Sequence, residues 1–322
     1  MFTKMINELR KNPRKIVFTE GEDERILIAT TRLRAERLIE PIILGDETKI
    51  RQYAATKNLD LEGIIIIDPL NYDKKAMISL MVELRKGKMS EEDVIKALNH
   101  GNYFGTMLVK MGLAHGLLGG ATYSTADTVR PALQLIKTKP GSKIVSSSFI
   151  LRKPGRLSDE IYVMSDCAIN LNPTSEELVE IAIESAKTAE IFGVKPSVAL
   201  LSYSTLGSAK GETVDTVKNA VKILKEQTVS FEFDGELQFD AAFSADVASK
   251  KAPDSPVAGH ANVFIFPNIN AGNIGYKIAQ RLGGFEALGP ILQGLNAPIN
   301  DLSRGCNAEE VYKMAIITAT FS

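Results

Sequence analysis

The 322-residue chain has only two cysteines, Cys167 and Cys306, and three histidines. The cysteines stand far apart with no CxxC or other metal-ligand spacing, which excludes a disulfide framework and a thiolate metal site. Histidines and aspartates nowhere cluster, so no metal is implied. Excess charge of one sign is missing too. With 38 basic and 39 acidic residues the formal net charge is −1. That argues against a general polyanion binder and confines any anion recognition to a few arginines. No run of about 18 apolar residues is present, so no membrane-spanning helix is expected. The start, Met1-Phe2-Thr3-Lys4, leads into Glu8-Leu9-Arg10-Lys11 without an apolar core of signal-peptide length. The expectation is a disulfide-free cytoplasmic protein that binds neither nucleic acid nor membrane.

What is present is an alternation. Lys15–Gly21, Pro41–Gly45 and Gly63–Asp68 are short β-branched runs, each read as a buried strand. Between them Ile26, Leu27, Ala29 and Leu33 fall at helical spacing, as does the stretch Glu47 to Ala55. Such a pattern predicts a parallel sheet covered on both faces, and an α/β fold class. The topology invites a nicotinamide-binding reading, but no Gly-x-Gly-x-x-Gly follows the first strand. Gly21 stands alone before Glu22-Asp23-Glu24, whose carboxylates would repel a pyrophosphate. A helical region runs from about Asp73 to His100, broken near Gly87 and restarted by a capping box at Ser90–Asp93. From Ser142 two strands joined at Lys153-Pro154-Gly155 open a new segment. A helix from Thr174 to Phe192, strands at Ser197–Leu201 and Ala261–Phe266, and a helix at Thr213–Gln227 follow. The domain organisation read from this is 1–141 plus 291–322 for one domain and 142–290 for the other.

Polar junctions between strands and helices are where open α/β sheets bind ligands. The first is Thr122-Tyr123-Ser124-Thr125-Ala126-Asp127-Thr128-Val129-Arg130. Hydroxyls of Ser124, Thr125 and Thr128 can hold phosphate oxygens, with Arg130 adding a charged fork; equally, Ser124 or Thr125 serves only as an N-cap. Arg85, in the last helical turn before Gly87, either complements the helix dipole or binds an anion. Ser202–Gly211 is a second hydroxyl-rich loop. At Pro267–Lys277 the amides of Asn268, Asn270 and Asn273 and the glycines allow close approach of a ligand; equally, Asn273 serves only as a helix cap. Cys167 follows Asp166 at a strand end with no basic neighbour to activate it. The densest junction is Asp301-Leu302-Ser303-Arg304-Gly305-Cys306, read as a loop opening a helix.

Taken with Thr125–Pro131, Ser165–Ala168, Pro267–Asn273 and Leu288–Gly294, that last motif makes the chain resemble the phosphate acetyltransferase and butyryltransferase family, over nearly its whole length. The resemblance implies two three-layer α/β/α domains of the isocitrate/isopropylmalate dehydrogenase type with an active cleft between them, and a homodimer. It implies acetyl transfer between acetyl phosphate and coenzyme A, with inorganic phosphate as the other product, coenzyme A or acetyl-CoA as substrate, and no tightly bound cofactor. Ser303 and Arg304 match the family's active-site serine and arginine. Arg85 and Arg130 match arginines linked to coenzyme A and substrate binding, and Cys167 and Cys306 match cysteines that line the site without acting as nucleophiles. Glu310 stands where the family usually has an aspartate proposed as base for the thiol, and its extra methylene shifts the carboxylate by about 1.5 Å. Asn307 and Glu310 also make a plausible capping box. Alternatives are a phosphate butyryltransferase, or a non-catalytic acyl-CoA-binding module of the kind attached to some malic enzymes.

Overall fold

The computed structural model describes residues 2–155 and 159–322. The chain divides into two compact units, residues 2–141 with 295–322 and residues 142–294.

The first unit contains α1 (Phe2–Lys11), β1 (Arg14–Phe18), α2 (Glu24–Ala35), β2 (Ile39–Leu44), α3 (Glu47–Thr56), β3 (Ile65–Ile67), α4 (Lys75–Arg85), α5 (Glu91–Ala97), α6 (Gly101–Lys110), β4 (Gly116–Gly119) and α7 (Thr125–Pro131). A single π-helical turn, Ala132–Ile136, extends α7. Its five-stranded sheet runs β11-β4-β1-β2-β3, where β11 (Ile299–Asp301) comes from the C-terminal return of the chain, and every pairing is parallel. Side chains alternate across the sheet: Val17, Ile42, Leu44 and Leu117 join Phe104 and Met107 of α6 in one core. Ile16 and Phe18, at 0% exposure, point the other way, toward the side on which α2 packs with α13 (Ala308–Thr320). Gly105 lets α6 lie tight on the sheet; a Cβ there would fall 2.9 Å from Leu117 and 3.0 Å from Val17. The run 64–67, read as a buried strand, is only partly so. Its strand β3 pairs on one side alone, and Ile65 is 43% exposed.

The second unit holds β5 (Ser146–Lys153), β6 (Glu160–Ser165), α8 (Ser175–Ile191), β7 (Ser197–Leu201), α9 (Glu212–Lys225), β8 (Glu232–Leu237), α10 (Phe239–Phe243), α11 (Ala245–Lys251), β9 (Val263–Ile265), α12 (Ile269–Arg281) and β10 (Glu286–Gln293). Strand order is β10-β5-β6-β9-β7-β8, with β5 antiparallel to both β10 and β6 and the rest parallel. Helix α8 begins at the Thr174–Glu177 capping box and stops at Gly193, whose φ of 77° suits glycine. Strands β8 and β10 and helices α10 and α11 had no distinct sequence signal. Among the described residues no helix is long and apolar enough to cross a membrane.

Candidate active site

In the first unit the central order β11-β4-β1 brings three strand ends side by side. The chain passes from β1 to β2 and β3 on one flank and then returns to β4 on the other. The carboxyl ends of β1 and β4 therefore flank a topological switch point, the usual ligand position in such sheets. Residues 299–301, read as part of a loop, form β11 instead, paired with Leu117–Gly119. The strand ends in Asp301, and the Leu302 amide donates to the Gly119 carbonyl at 2.7 Å. Ser303 and Arg304 then emerge as an exposed turn, closed by the Gly305 amide donating to Ser303 Oγ at 3.3 Å. Arg304 makes no ion pair among the described residues, so its guanidinium is available to an anion.

A residue the sequence did not single out holds this turn. Asp23 caps α2 by accepting from the Arg25 amide at 2.9 Å. Its carboxylate also grips the Arg25 guanidinium, from Nε at 2.9 Å and Nη2 at 2.7 Å. The remaining donors reach three backbone carbonyls: Ala121 at 2.9 Å, Arg304 at 2.8 Å and Cys306 at 3.0 Å. One guanidinium thus ties the loops after β1, β4 and β11 together, and its donors are spent on protein. The pairing with Arg25 holds the Asp23 carboxyl below the usual carboxylate range.

The hydroxyl-rich turn after β4 is engaged the same way, with carboxylates as partners. Thr122 donates from its amide at 2.8 Å and from Oγ1 at 3.2 Å to Glu20, which is 7% exposed. Ser124 Oγ donates to Asp127 at 2.7 Å in the capping box of α7. Thr125 Oγ1 donates to Asp301 at 2.7 Å. Thr128 is buried, with its hydroxyl near enough to the Asp301 carboxyl to act on it. Of the two readings of this turn the cap is formed, by Ser124, while Thr125 bonds the last residue of β11, from which the chain runs on to Ser303. Burial and the nearby Glu20 push the Asp301 carboxyl up to about 6, and burial raises Glu20 as well.

Arg85 is the last residue of α4, and Arg130 is exposed on α7. The charges of Arg130 and Arg85 each counter the rise that burial gives the Tyr103 hydroxyl, which donates to Gln134 at 3.0 Å. Arg85 Nε is buried with no hydrogen bond among the described residues.

Cys306 is 6% exposed, and burial pushes its thiol up to about 11 despite Arg25 beside it. Glu310 sits at the third position of α13, where its carboxylate accepts from the Asn307 amide at 3.0 Å and its own amide donates to Asn307 Oδ1 at 2.9 Å. The cap foreseen for these two residues is formed.

The other predicted residues belong to the second unit. Cys167 is fully buried, and desolvation with Asp166 alongside raises its thiol well above the ordinary range. Asp166 accepts from Ser147 Oγ and from the amides of Ala168 and Asn170, each amide at 2.9 Å, which fixes the turn after β6. Asn273, for which a cap is the alternative to lining the site, lies inside α12 and donates from Nδ2 to the Cys167 carbonyl at 2.9 Å. Asn268 is the cap, accepting from the Ala271 amide at 3.0 Å. Asn270 is exposed on the first turn. The Ser202–Gly211 loop is largely satisfied internally, with Ser204 donating to Glu236 at 2.8 Å and Tyr203 to the Lys210 carbonyl at 3.0 Å.

Residues 1–319 match the family model described as Phosphate acetyl/butaryl transferase. A relative from Bacillus subtilis (strain 168) called phosphate acetyltransferase is 58% identical over 306 residues, which cover 95% of this chain and 94% of that protein. A phosphotransacetylase structure from Streptococcus pyogenes superposes with a TM-score of 0.93 at 52% identity, covering 99% of this chain and 98% of that one. The EutD phosphotransacetylase from Staphylococcus aureus gives 0.88 at 52% identity over the same shares.

Proposed function

The chain belongs to the phosphate acetyl/butaryl transferase family, and from that premise we propose that it moves acetyl between acetyl phosphate and coenzyme A by direct thiolate attack in a ternary complex. The observation that carries the reading is the Ser303–Arg304 turn, exposed at the end of β11 and anchored by Arg25. Acyl transfer to a thiol with a free pKa near about 8.5 requires the proton to be removed, the tetrahedral oxyanion to be met by donors, and the phosphate to be held as it leaves. Arg304 supplies the charged donor for phosphate, and Ser303 Oγ supplies a hydrogen bond to the thiolate or the carbonyl. Arg85 and Arg130, whose charges both act on Tyr103, suit the phosphates of the coenzyme.

Both cysteines are poor nucleophiles, since their environments favour the neutral thiol. That supports transfer without an acyl-enzyme, and coenzyme A enters as substrate with no resident cofactor needed for this chemistry. Acetyl is the acyl group favoured by the similarity to phosphate acetyltransferases, and rates across an acyl-phosphate series test it against butyryl. The reaction partners are water-soluble, which suits a cytoplasmic enzyme. A homodimer is supported by α12 and its C-terminal cap, where Ile274, Ile278 and Leu282 form an exposed stripe at 57%, 52% and 85%, flanked by exposed Phe239 and Phe243. The decisive assay is thiol release and consumption with acetyl phosphate and coenzyme A. Ser303→Ala and Arg304→Ala should fold and lose most turnover; near-wild-type rates in either remove its role.

A further inference from the structure

Acyl transfer needs an acceptor for the thiol proton, and the Glu310 carboxylate already accepts from the Asn307 amide in the α13 cap. Another carboxylate stands closer to the exposed turn in sequence. Asp301 ends β11 two residues before Ser303 and is 1% exposed. Its Oδ2 accepts from Thr125 Oγ1 at 2.7 Å, and the Thr128 hydroxyl and the Leu302 amide also act on the carboxyl. The seat is fitted to it: a Cβ on Gly120, where φ is +98°, would fall 2.1 Å from Oδ1. Thr125 is half-buried at the start of α7, so one hydroxyl connects the buried acid to the rim of the strand ends. Neither Glu20 nor Asp127 is placed this way. Glu20 accepts three hydrogen bonds, and Asp127 closes a helix cap.

We propose that Asp301, acting through the Thr125 hydroxyl, stores the proton of acyl transfer. The proposal rests on the acyl-transfer reading above. As coenzyme A binds, its S–H proton passes to Thr125 Oγ1 while the threonine's own hydrogen passes to Asp301 Oδ2. The thiolate sulfur then forms its bond to the acetyl carbon, the carbon–oxygen bond to phosphate breaks, and the bonding pair leaves on the phosphate oxygen. The proton returns along the same two hydrogen bonds to that oxygen. Thiol and acetyl phosphate dianion become thioester and hydrogen phosphate dianion, with no net proton gained or lost. Thr125 touches the reacting groups; Asp301 works through it and is a positioning residue.

The charged groups around Asp301 fit this role. Glu20, from the end of β1, disfavours ionisation of Asp301. The Arg25 charge acts on Glu20 and Cys306, and Asp127 and Arg130 lie on α7 itself. Burial, with Glu20 adding to it and the hydrogen bonds from Thr125, Thr128 and Leu302 opposing it, sets Asp301 at about 6, near the pH at which a proton acceptor is most useful.

The test is the pH dependence of kcat/KM for the full chain with coenzyme A and acetyl phosphate, from about pH 5 to about pH 9, for wild type, Thr125→Val, Thr125→Ser and Asp301→Asn. The wild type should show an acid limb near pH 6. Thr125→Val and Asp301→Asn should lose roughly 10²-fold or more and show no such limb. Thr125→Ser, which keeps the hydroxyl, should recover to within roughly threefold and regain the limb. A packing role alone would change rates without moving the limb. If Asp301→Asn does not fold, the two Thr125 variants decide. Wild-type rate in Thr125→Val, or an unchanged limb in a folded Asp301→Asn, overturns the relay. A wild-type protein that consumes no thiol at any pH instead overturns the acyl-transfer reading itself, and the relay with it.

Discussion

Removing Arg25 should cost the protein more in rate than in fold. Its guanidinium donates to the Ala121, Arg304 and Cys306 carbonyls and is held in plane by Asp23. A hydrogen bond from a charged donor contributes about 1.5–3 kcal/mol, and leaving its acceptor unmet costs a comparable amount. The Arg25 side chain is 26% exposed, so water re-satisfies part of what Arg25→Ala would orphan. The sum then falls to about 2–4 kcal/mol rather than three full penalties. Urea denaturation should show that loss with the slope unchanged. The Ser303–Arg304 turn would lose its tie to the Arg25 fork, and a displacement of about 1 Å at a reacting centre costs about 10²-fold. Arg25→Lys should restore little, because one ammonium cannot serve three carbonyls and an Asp fork at once. The assay pairs stability with kcat and KM. Wild-type kcat in Arg25→Lys, or unchanged kcat and stability in Arg25→Ala, would refute the argument.

Asp301 makes a second prediction, with a sign fixed by linkage. Its folded-state pKa is raised from 3.8 to about 6, so the stability it contributes is fully present below the unfolded value and is lost as pH rises through about 6. The difference corresponds to about 3 kcal/mol. Asp301→Asn should therefore be more stable than wild type near about pH 8, with the gain vanishing near about pH 4, as followed by melting across pH; a pH-independent loss contradicts this. For Glu310→Gln, the cap geometry predicts a stability loss of about 1 kcal/mol or less with kcat largely kept, whereas a large fall in kcat at unchanged melting temperature would assign it to proton transfer. Ile278→Asp, in the middle of the exposed α12 stripe, should convert a dimer to monomer in sedimentation; an unchanged mass removes that face as the interface.

Much of the frame was legible because local rules decided it. Ile26, Leu27, Ala29 and Leu33 mark the buried stripe of α2, and Thr174-x-x-Glu177 fixed the start of α8 because a capping box is a local hydrogen-bond exchange. The Asn307–Glu310 cap was readable for the same reason. What escaped was set by distant partners. Residues 299–301 are too short to signal a strand and become one only because β4 offers an edge. Arg25 follows an acidic turn that read simply as hostile to phosphate; its partners Arg304 and Cys306 are 279 and 281 residues away. Asp301 stood inside the most specific motif, yet its role depends on burial and on Thr125, 176 residues distant. The capping alternative for Asn273 fails because Asn268 comes first and has an amide at the right spacing.

The central claim is that the turn after β11 performs acyl transfer, with Arg304 holding the phosphate. The direct measurement is turnover of acetyl phosphate and coenzyme A by Arg304→Ala at matched stability, read as kcat and as KM for acetyl phosphate. The account predicts a folded protein whose kcat/KM falls by roughly 10²–10³-fold. A folded Arg304→Ala protein that turns over at the wild-type rate would contradict it.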